Sequence, residues 1–157
     1  MKTLDFTGLD EKKVQPVVNG LGTLLADLQV FYTNLRAFHW NVKGHAFFTL
    51  HAKFEEIYDD VAEKVDEVAE RILQLGAVPE SRYSVYLTVS EVKEAPYVEC
   101  GKEIVAAIRE TLKVLIARER QVVADASEAG DDVTVALMDD YLKGQEKLVW
   151  MLVAVGE

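Results

Sequence analysis

The stretch Leu50–Gly76, LHAKFEEIYDDVAEKVDEVAERILQLG, decides the fold class of this 157-residue chain. Its apolar side chains recur every three or four positions, which is the spacing of one face of an α-helix. They are Leu50, Phe54, Ile57, Val61, Val65, Val68, Ile72 and Leu75. Gly76 and Pro79 follow as stop signals. The stretch therefore predicts one long amphipathic helix that packs its apolar face into a core.

The same periodicity predicts three further long helices, one before this stretch and two after it. The first starts near Asp10, a candidate N-cap, and Pro16, which suits a first turn. Gly130 is the predicted stop of the third helix, and an aspartate just after it caps the fourth. The first helix is predicted to start between Asp10 and Pro16 and to end by Asn41–Gly44. The third is predicted from about Pro96 to Ala129, and the fourth from Asp131 or Asp132 onward.

The connections between these helices predict the topology. Two of them are short, so the helices that they join form antiparallel hairpins. The link Gly76–Ala95 has about 20 residues, enough to cross the bundle from end to end, with a short helix inside Ser81–Glu94. We therefore expect an all-α protein, a ferritin-like four-helix bundle with one long crossover, formed as a single domain by residues 1–157.

Composition narrows the class of protein. The chain has 17 basic and 27 acidic residues, a formal net charge of −10, which disfavours binding to nucleic-acid phosphates. Its single cysteine, Cys100, cannot form an internal disulfide, and no apolar run reaches the length of a membrane span. The first ten residues lack the apolar segment of a signal peptide, so we expect a cytoplasmic protein without membrane association.

The candidate chemistry lies in three histidines and the carboxylates that follow them. His39, His45 and His51 are the only histidines. With about 100° per residue, and with His51 at zero, Glu55, Asp66 and Glu70 lie near 40°, 60° and 100° on the same helix. The apolar stripe centres near about 275°, so this polar face points away from the core. Imidazole and carboxylate together suit divalent iron, zinc, copper or manganese.

Spacing indicates that such a site needs two chains. His51 and Glu55 are one turn apart, as are Asp66 and Glu70, but about 16 Å of helix separates the two pairs. A two-fold antiparallel contact would place the first pair of one copy opposite the second pair of the other. The sequence also lacks the Glu-x-x-His pairs of a conventional di-iron bundle. We therefore expect any metal site to form between subunits.

Each of these residues also has an ordinary structural interpretation. Carboxylates four residues apart on a helix usually face solvent, and His51 beside Leu50 is a common boundary residue. His39 lies at the edge of an apolar stripe, where a packed core-edge histidine is the commoner role. His45 is expected in a loop. Only the combination of residues is specific.

That combination resembles the Dps family of mini-ferritins, the DNA-binding proteins from starved cells. The resemblance rests on His39-Trp40-Asn41-Val42-Lys43-Gly44, Phe48, Leu50-His51, Phe54-Glu55, Asp66 and Ala69-Glu70-Arg71, and it extends over the whole chain. It implies a ferroxidase centre made by His39 and His51 of one subunit with Asp66 and Glu70 of its two-fold mate. Glu55 matches an acidic position close to that centre.

The resemblance also implies a function. Family members form hollow homododecamers that take up Fe(II), oxidise it preferentially with hydrogen peroxide, and store Fe(III) mineral, which protects DNA and the cell from oxidative damage. Trp40 resembles the family tryptophan proposed to quench radicals. Asp131 and Asp132 would line an iron pore, although helix capping explains them equally well.

Two other functions stay open at this point. A nucleoid-condensing DNA-binding protein with little iron chemistry is the first, but the Lys-rich tail of DNA-binding family members is missing. Lys2, Lys12 and Lys13 are opposed by nearby acidic residues, so direct DNA binding at physiological salt is not expected, while contact through a Mg²⁺ bridge stays open. A metal-free helical interaction protein, monomeric in solution, is the second.

Overall fold

Six helices follow one another along residues 2–155, the part of the chain that the structure, a computed structural model, describes. Two of them are short and four are long. They are α1 (Leu4–Thr7), α2 (Gln15–Asn41), α3 (Phe47–Gln74), α4 (Tyr83–Val89), α5 (Gly101–Ala129) and α6 (Asp132–Val155). The four long helices confirm the prediction of an all-α fold; α1 was not predicted from the sequence.

Contacts between the long helices give their directions. His39 and Tyr32 of α2 meet His51 and Tyr58 of α3 in reversed order, so these two helices are antiparallel. Arg71 and Glu67 of α3 bond Thr134 and Tyr141 of α6 in reversed order, so α3 and α6 are antiparallel. The short turn between α5 and α6 and the bond between Gln145 and Glu119 make α6 antiparallel to α5 as well. The topology is therefore the predicted four-helix bundle.

The parallel arrangement of α3 and α5 follows from contacts at two levels of the bundle. Leu50 lies against Gly101 at the start of both helices, so close that a Cβ on Gly101 would come within 2.6 Å of the leucine. Further along, Lys64 of α3 lies close enough to Glu119 of α5 for its positive charge to oppose the rise in the pKa of that carboxyl that burial causes. The crossover thus runs the length of the bundle.

The faces of α3 are those that its sequence predicts. Phe54, Ile57, Val61, Val68 and Ile72 are buried in the core, and Leu50 is half-buried. The opposite face is exposed at Glu55, Asp66 and Glu70. Because side chains spaced by three and four residues share one side of a helix, the core fixes the rotation of α3 and turns this acidic face outward.

Glycine sets two of the helix ends. Gly76 and Gly130 follow α3 and α5 with positive φ angles of 83° and 72°, as the predicted stops require. The predicted role of Asp10 was wrong: its side chain accepts bonds from the backbone N–H groups of Lys12 and Lys13, in a turn before α2. The residue that precedes α2 is Val14, which makes no side-chain cap.

The start of α5 was predicted five residues too early, at Pro96 instead of Gly101. Residues 91–100 form no helix, and buried polar side chains of α2 bind the backbone of the first half of this segment. Asp27 accepts bonds from the N–H groups of Glu91 and Val92, while Asn34 bonds the backbone of Lys93 and Ala95. The helix within the crossover, α4, lies inside the predicted window.

No helix among residues 2–155 combines the length and apolar character needed to cross a membrane.

Candidate metal centre

Two histidines meet where the α2–α3 hairpin turns. His39 lies near the end of α2 and His51 in the second turn of α3, with the short loop 42–46 between the helices. Their imidazole rings stack with centroids 3.7 Å apart and planes 18° apart. The structure therefore brings together the two histidines that the sequence singled out. The third, His45, lies exposed in the loop, as predicted.

Reciprocal hydrogen bonds fix both rings. Nδ1 of His39 lies 2.7 Å from the carbonyl oxygen of His51, and Nδ1 of His51 lies 2.7 Å from the carbonyl oxygen of His39. A carbonyl oxygen only accepts, so each Nδ1 carries the hydrogen and donates. In the neutral rings, each Nε2 then keeps a free lone pair, which is the form of imidazole that binds metals.

Aromatic rings hold the histidine pair on both sides. Phe47 stacks on His51 with centroids 5.0 Å apart, and Tyr58 presents an edge-to-face contact to His39 at 5.4 Å. His39 is 8% exposed and His51 is half-buried. His39 is therefore packed at the edge of the core, as its ordinary structural role predicts. The position of its Nε2 also suits a metal ligand.

The predicted carboxylates lie elsewhere on the same helix. Glu55 is one turn from His51, whereas Asp66 and Glu70 lie further along α3 than one metal ion can reach. Within residues 2–155, no three His, Cys, Asp or Glu side chains lie close enough together to hold a metal ion. One chain therefore supplies only part of a ligand set.

The imidazole and carboxylate groups that one chain supplies are chemically suited to iron. Two imidazole nitrogens, when carboxylates complete the ligand set, bind a divalent transition metal and leave positions open for a small oxidant. Zinc and other first-row metals also suit imidazole and carboxylate, so the residues do not by themselves select iron.

Asp131 turns out to be a structural residue. It is buried, its carboxylate caps α6 through the backbone N–H and hydroxyl of Thr134, and it pairs with Arg71 at 2.6 Å. The capping alternative is confirmed for Asp131, whose side chain is buried within its own chain. Asp132 is exposed, and its predicted pore role stays a prediction.

Sequence reasoning missed the aromatic neighbours of the histidines. Tyr58 follows His51 by seven residues, and Tyr32 precedes His39 by seven, so each shares a helix face with its histidine. That spacing was a usable signal. The buried Glu119 gave none, because its neighbours Lys64 and Gln145 are distant in sequence.

Comparisons with known proteins agree with this architecture. A family model for a ferritin-like domain matches residues 18–156. The DNA protection during starvation protein of Porphyromonas gingivalis is 57% identical over 153 residues, 98% of this chain and 96% of that protein. The crystal structure of a Dps protein from Vibrio cholerae O1, described as a member of a broad superfamily of ferritin-like diiron-carboxylate proteins, superposes with a TM-score of 0.93 at 46% identity, over 95% of this chain and 94% of that chain.

A third similar protein shows that the likeness persists at lower identity. The crystal structure of antigen TpF1 from Treponema pallidum matches with a TM-score of 0.91 at 33% identity, over 94% of this chain and 96% of that chain. The family model, the relative in P. gingivalis and these solved structures span nearly the same residues. The chain belongs to the Dps family of ferritin-like proteins.

Proposed function

We propose that this protein is a ferroxidase that oxidises Fe(II), preferentially with hydrogen peroxide, and stores Fe(III) mineral inside a hollow homododecamer. The observation that carries the proposal is the reciprocally bonded pair of His39 and His51, which keeps two metal-binding nitrogens available in a chain that holds no complete ligand set among residues 2–155. The likeness to ferritin-like diiron-carboxylate proteins supports iron as the metal.

The proposed site forms at a two-fold contact. His39 and His51 of one copy face Asp66 and Glu70 of a second copy, with Glu55 nearby, and the symmetry builds two such sites at once. The exposure of all three carboxylates on α3 supports this arrangement, since exposed side chains are available to a second copy. Half-buried Ala69 and exposed Ala62 would let the partner helix approach closely.

The chemistry follows from the donor set. Carboxylates and neutral imidazoles hold Fe(II) and stabilise the Fe(III) product through their negative charge and lone pairs. Two Fe(II) ions supply the two electrons that reduce one hydrogen peroxide to water, so no hydroxyl radical is released. Consuming both reactants in this way would protect DNA and the cell, with the cytoplasm as the expected compartment.

The test is the initial rate of Fe(II) oxidation by peroxide under anaerobic conditions, followed by near-ultraviolet absorbance. We expect His39→Ala/His51→Ala and Asp66→Ala/Glu70→Ala both to be slow. The control is Glu103→Ala/Glu110→Ala, which removes two exposed carboxylates from α5, as many as Asp66→Ala/Glu70→Ala removes from α3. It should oxidise iron at the wild-type rate. Equal rates in all variants would refute the site.

A second experiment tests the contribution of two chains. The two slow double variants are dissociated, mixed and reassembled. A mixed pair can form one site with both native halves, so partial recovery of the rate is expected. No recovery in assemblies of normal size would contradict the inter-subunit site. A stable monomer at the outset would instead favour the metal-free interaction protein.

A further inference from the structure

A cavity of about 560 Å³ lies beside the α2–α3 loop, where α3 and α5 begin. Its walls carry two kinds of side chain. The apolar ones include Leu50, Val105 and Val155, and the basic ones include Lys102 and Arg109. None of these five residues is a ligand of the metal centre proposed above, so the cavity is available for a separate role.

The side chains around this cavity are positively charged, although the chain has a formal net charge of −10. Among residues 2–155, no aspartate or glutamate lines it. Lys102 and Arg109 lie two turns apart on the same side of α5, and neither forms an ion pair with a carboxylate of the described chain. Lys43 also lines the cavity, but it is already paired with Glu99. Two cations without a local partner make the cavity attractive to an anion.

The start of α5 adds to this attraction. Gly101, the first residue of this 29-residue helix, lines the cavity, and the preceding Cys100 provides no side-chain cap for the first N–H groups. Such groups carry the partial positive charge of a helix N-terminus, which favours a negative charge nearby. The backbone and the two cationic side chains therefore favour the same kind of ligand.

The apolar walls restrict the kind of anion. Leu50, Val105 and Val155 are aliphatic, and a small hydrated anion such as sulfate would leave them in contact with water. No Phe, Tyr or Trp lines the cavity within residues 2–155, so a nucleobase would find no aromatic side chain to stack on. The volume lies in the range of about 300–1,000 Å³ that is typical of sites for small organic ligands. These features together favour an anionic group attached to a hydrocarbon chain.

We propose that this cavity binds the anion of an aliphatic carboxylic acid. The carboxylate pairs with Lys102 and Arg109, because a guanidinium and an ammonium group both donate charge-assisted hydrogen bonds to carboxylate oxygens. The hydrocarbon chain lies against Leu50, Val105 and Val155 and is thereby removed from water. The binding involves no iron, so the proposal is independent of the proposed ferroxidase function.

Titration calorimetry of the assembled protein with octanoate tests the proposal. Acetate, which has the carboxylate without the chain, and octanamide, which has the chain without the charge, are the comparison ligands. We expect saturable binding of one octanoate per subunit, with both comparison ligands weaker by about tenfold or more. No saturable binding of octanoate, or equal binding of either comparison ligand, would overturn the proposal.

Two pairs of variants locate the carboxylate. Lys102→Gln/Arg109→Gln removes both cations and should weaken octanoate binding by about tenfold or more. The control is Lys12→Gln/Lys13→Gln, which removes two lysines from another cavity, of about 390 Å³, that two carboxylates also line. It should bind octanoate as wild type does. Equal affinities in the two variants would show that the cations of α5 do not hold the ligand.

Val155 allows a test that leaves the cations in place. Its side chain is 62% exposed, so substitution should not disturb the core. Val155→Glu places a negative charge beside the bound anion, whereas Val155→Gln has nearly the same shape without the charge. We expect octanoate to bind about fivefold or more weakly to the glutamate variant than to the glutamine variant, with a smaller difference at high salt. Equal affinities at low salt would refute the assignment of octanoate to this cavity.

Discussion

Each of the rings of His39 and His51 is held by the backbone of the other residue, with both Nδ1-to-carbonyl distances at 2.7 Å. The bonds tie the end of α2 to the beginning of α3 at the level where the proposed iron ligands lie. The orientation of each ring therefore depends on the position of the other helix end. The placement of the ligands thus depends on the same contact that closes the hairpin.

This coupling predicts that neither histidine acts alone. His39→Ala removes one ligand and also the ring that stacks on His51, so the affinity for metal should fall by more than the about 10–100-fold that loss of a supporting contact alone costs. Titration calorimetry with Zn²⁺, which is redox-inert, measures the affinity of the assembled protein. His45→Ala, in the exposed loop, is the control and should leave the affinity unchanged; an unchanged affinity in His39→Ala would contradict the coupling.

Asp131 should matter for stability and little for iron oxidation. Asp131→Ala leaves Arg71 buried without its carboxylate partner and removes the cap of α6, a change that costs about 3–5 kcal/mol in buried pairs. Urea unfolding measures the loss. Asp132→Ala removes the same charge from the neighbouring exposed position and should change stability by about 0.5 kcal/mol or less. Comparable losses in the two variants would argue against the buried pair.

Glu119 predicts how stability varies with pH. Burial raises the pKa of its carboxyl from 4.5 to about 8, because Gln145 alone bonds it in the core. The folded chain holds this proton up to about pH 8, whereas the unfolded chain releases it near pH 4.5. The stability that neutral Glu119 contributes is therefore complete below pH 4.5 and declines as the pH rises toward 8.

The variant Glu119→Gln isolates this contribution. It cannot ionise, so it should be more stable than wild type by about 1–3 kcal/mol at pH 8, with little difference near pH 4.5. Thermal unfolding at fixed protein concentration across this range is the measurement, because assembly makes stability concentration-dependent. A difference between the two proteins that grows toward low pH would show that the sign is wrong.

Direct binding to DNA should be absent at physiological salt. The formal charge of −10 is repeated in every copy of an assembly, and many cations are already paired with carboxylates of their own chain. These cations are Lys2, Lys43, Lys53, Arg82, Arg118 and Arg120. A gel-shift assay with and without Mg²⁺ checks this. Retardation without Mg²⁺ at about 0.15 M salt would revive the nucleoid-condensing alternative.

The parts of the fold that depend on neighbouring residues were predictable from the sequence. Helix α3 kept its predicted face because apolar periodicity is a local property, and Gly76 and Gly130 ended helices because only glycine readily takes their positive φ angles. The start of α5 was not predictable in this way. Asp27 and Asn34 bind the crossover from 59 to 65 positions away, and no local pattern reveals such a contact.

The candidate site also has a part that the local sequence predicts and a part that depends on tertiary contacts. Helix geometry placed His51, Glu55, Asp66 and Glu70 on the outward face of α3, and their exposure or partial exposure agrees with it. The stacking of His39 on His51 depends on how the hairpin closes, which the residues of either helix alone do not determine. Whether acidic residues of another copy complete the site stays a prediction.

The separation of Asp66 and Glu70 from the histidines along one helix has a consequence for the newborn polypeptide. On the proposed assignment, a newly synthesised subunit folds with both imidazoles in position but does not oxidise Fe(II) by itself. Oxidation of Fe(II) would begin only when a second subunit binds. The Fe(III) product would therefore first form in an assembly that can enclose it.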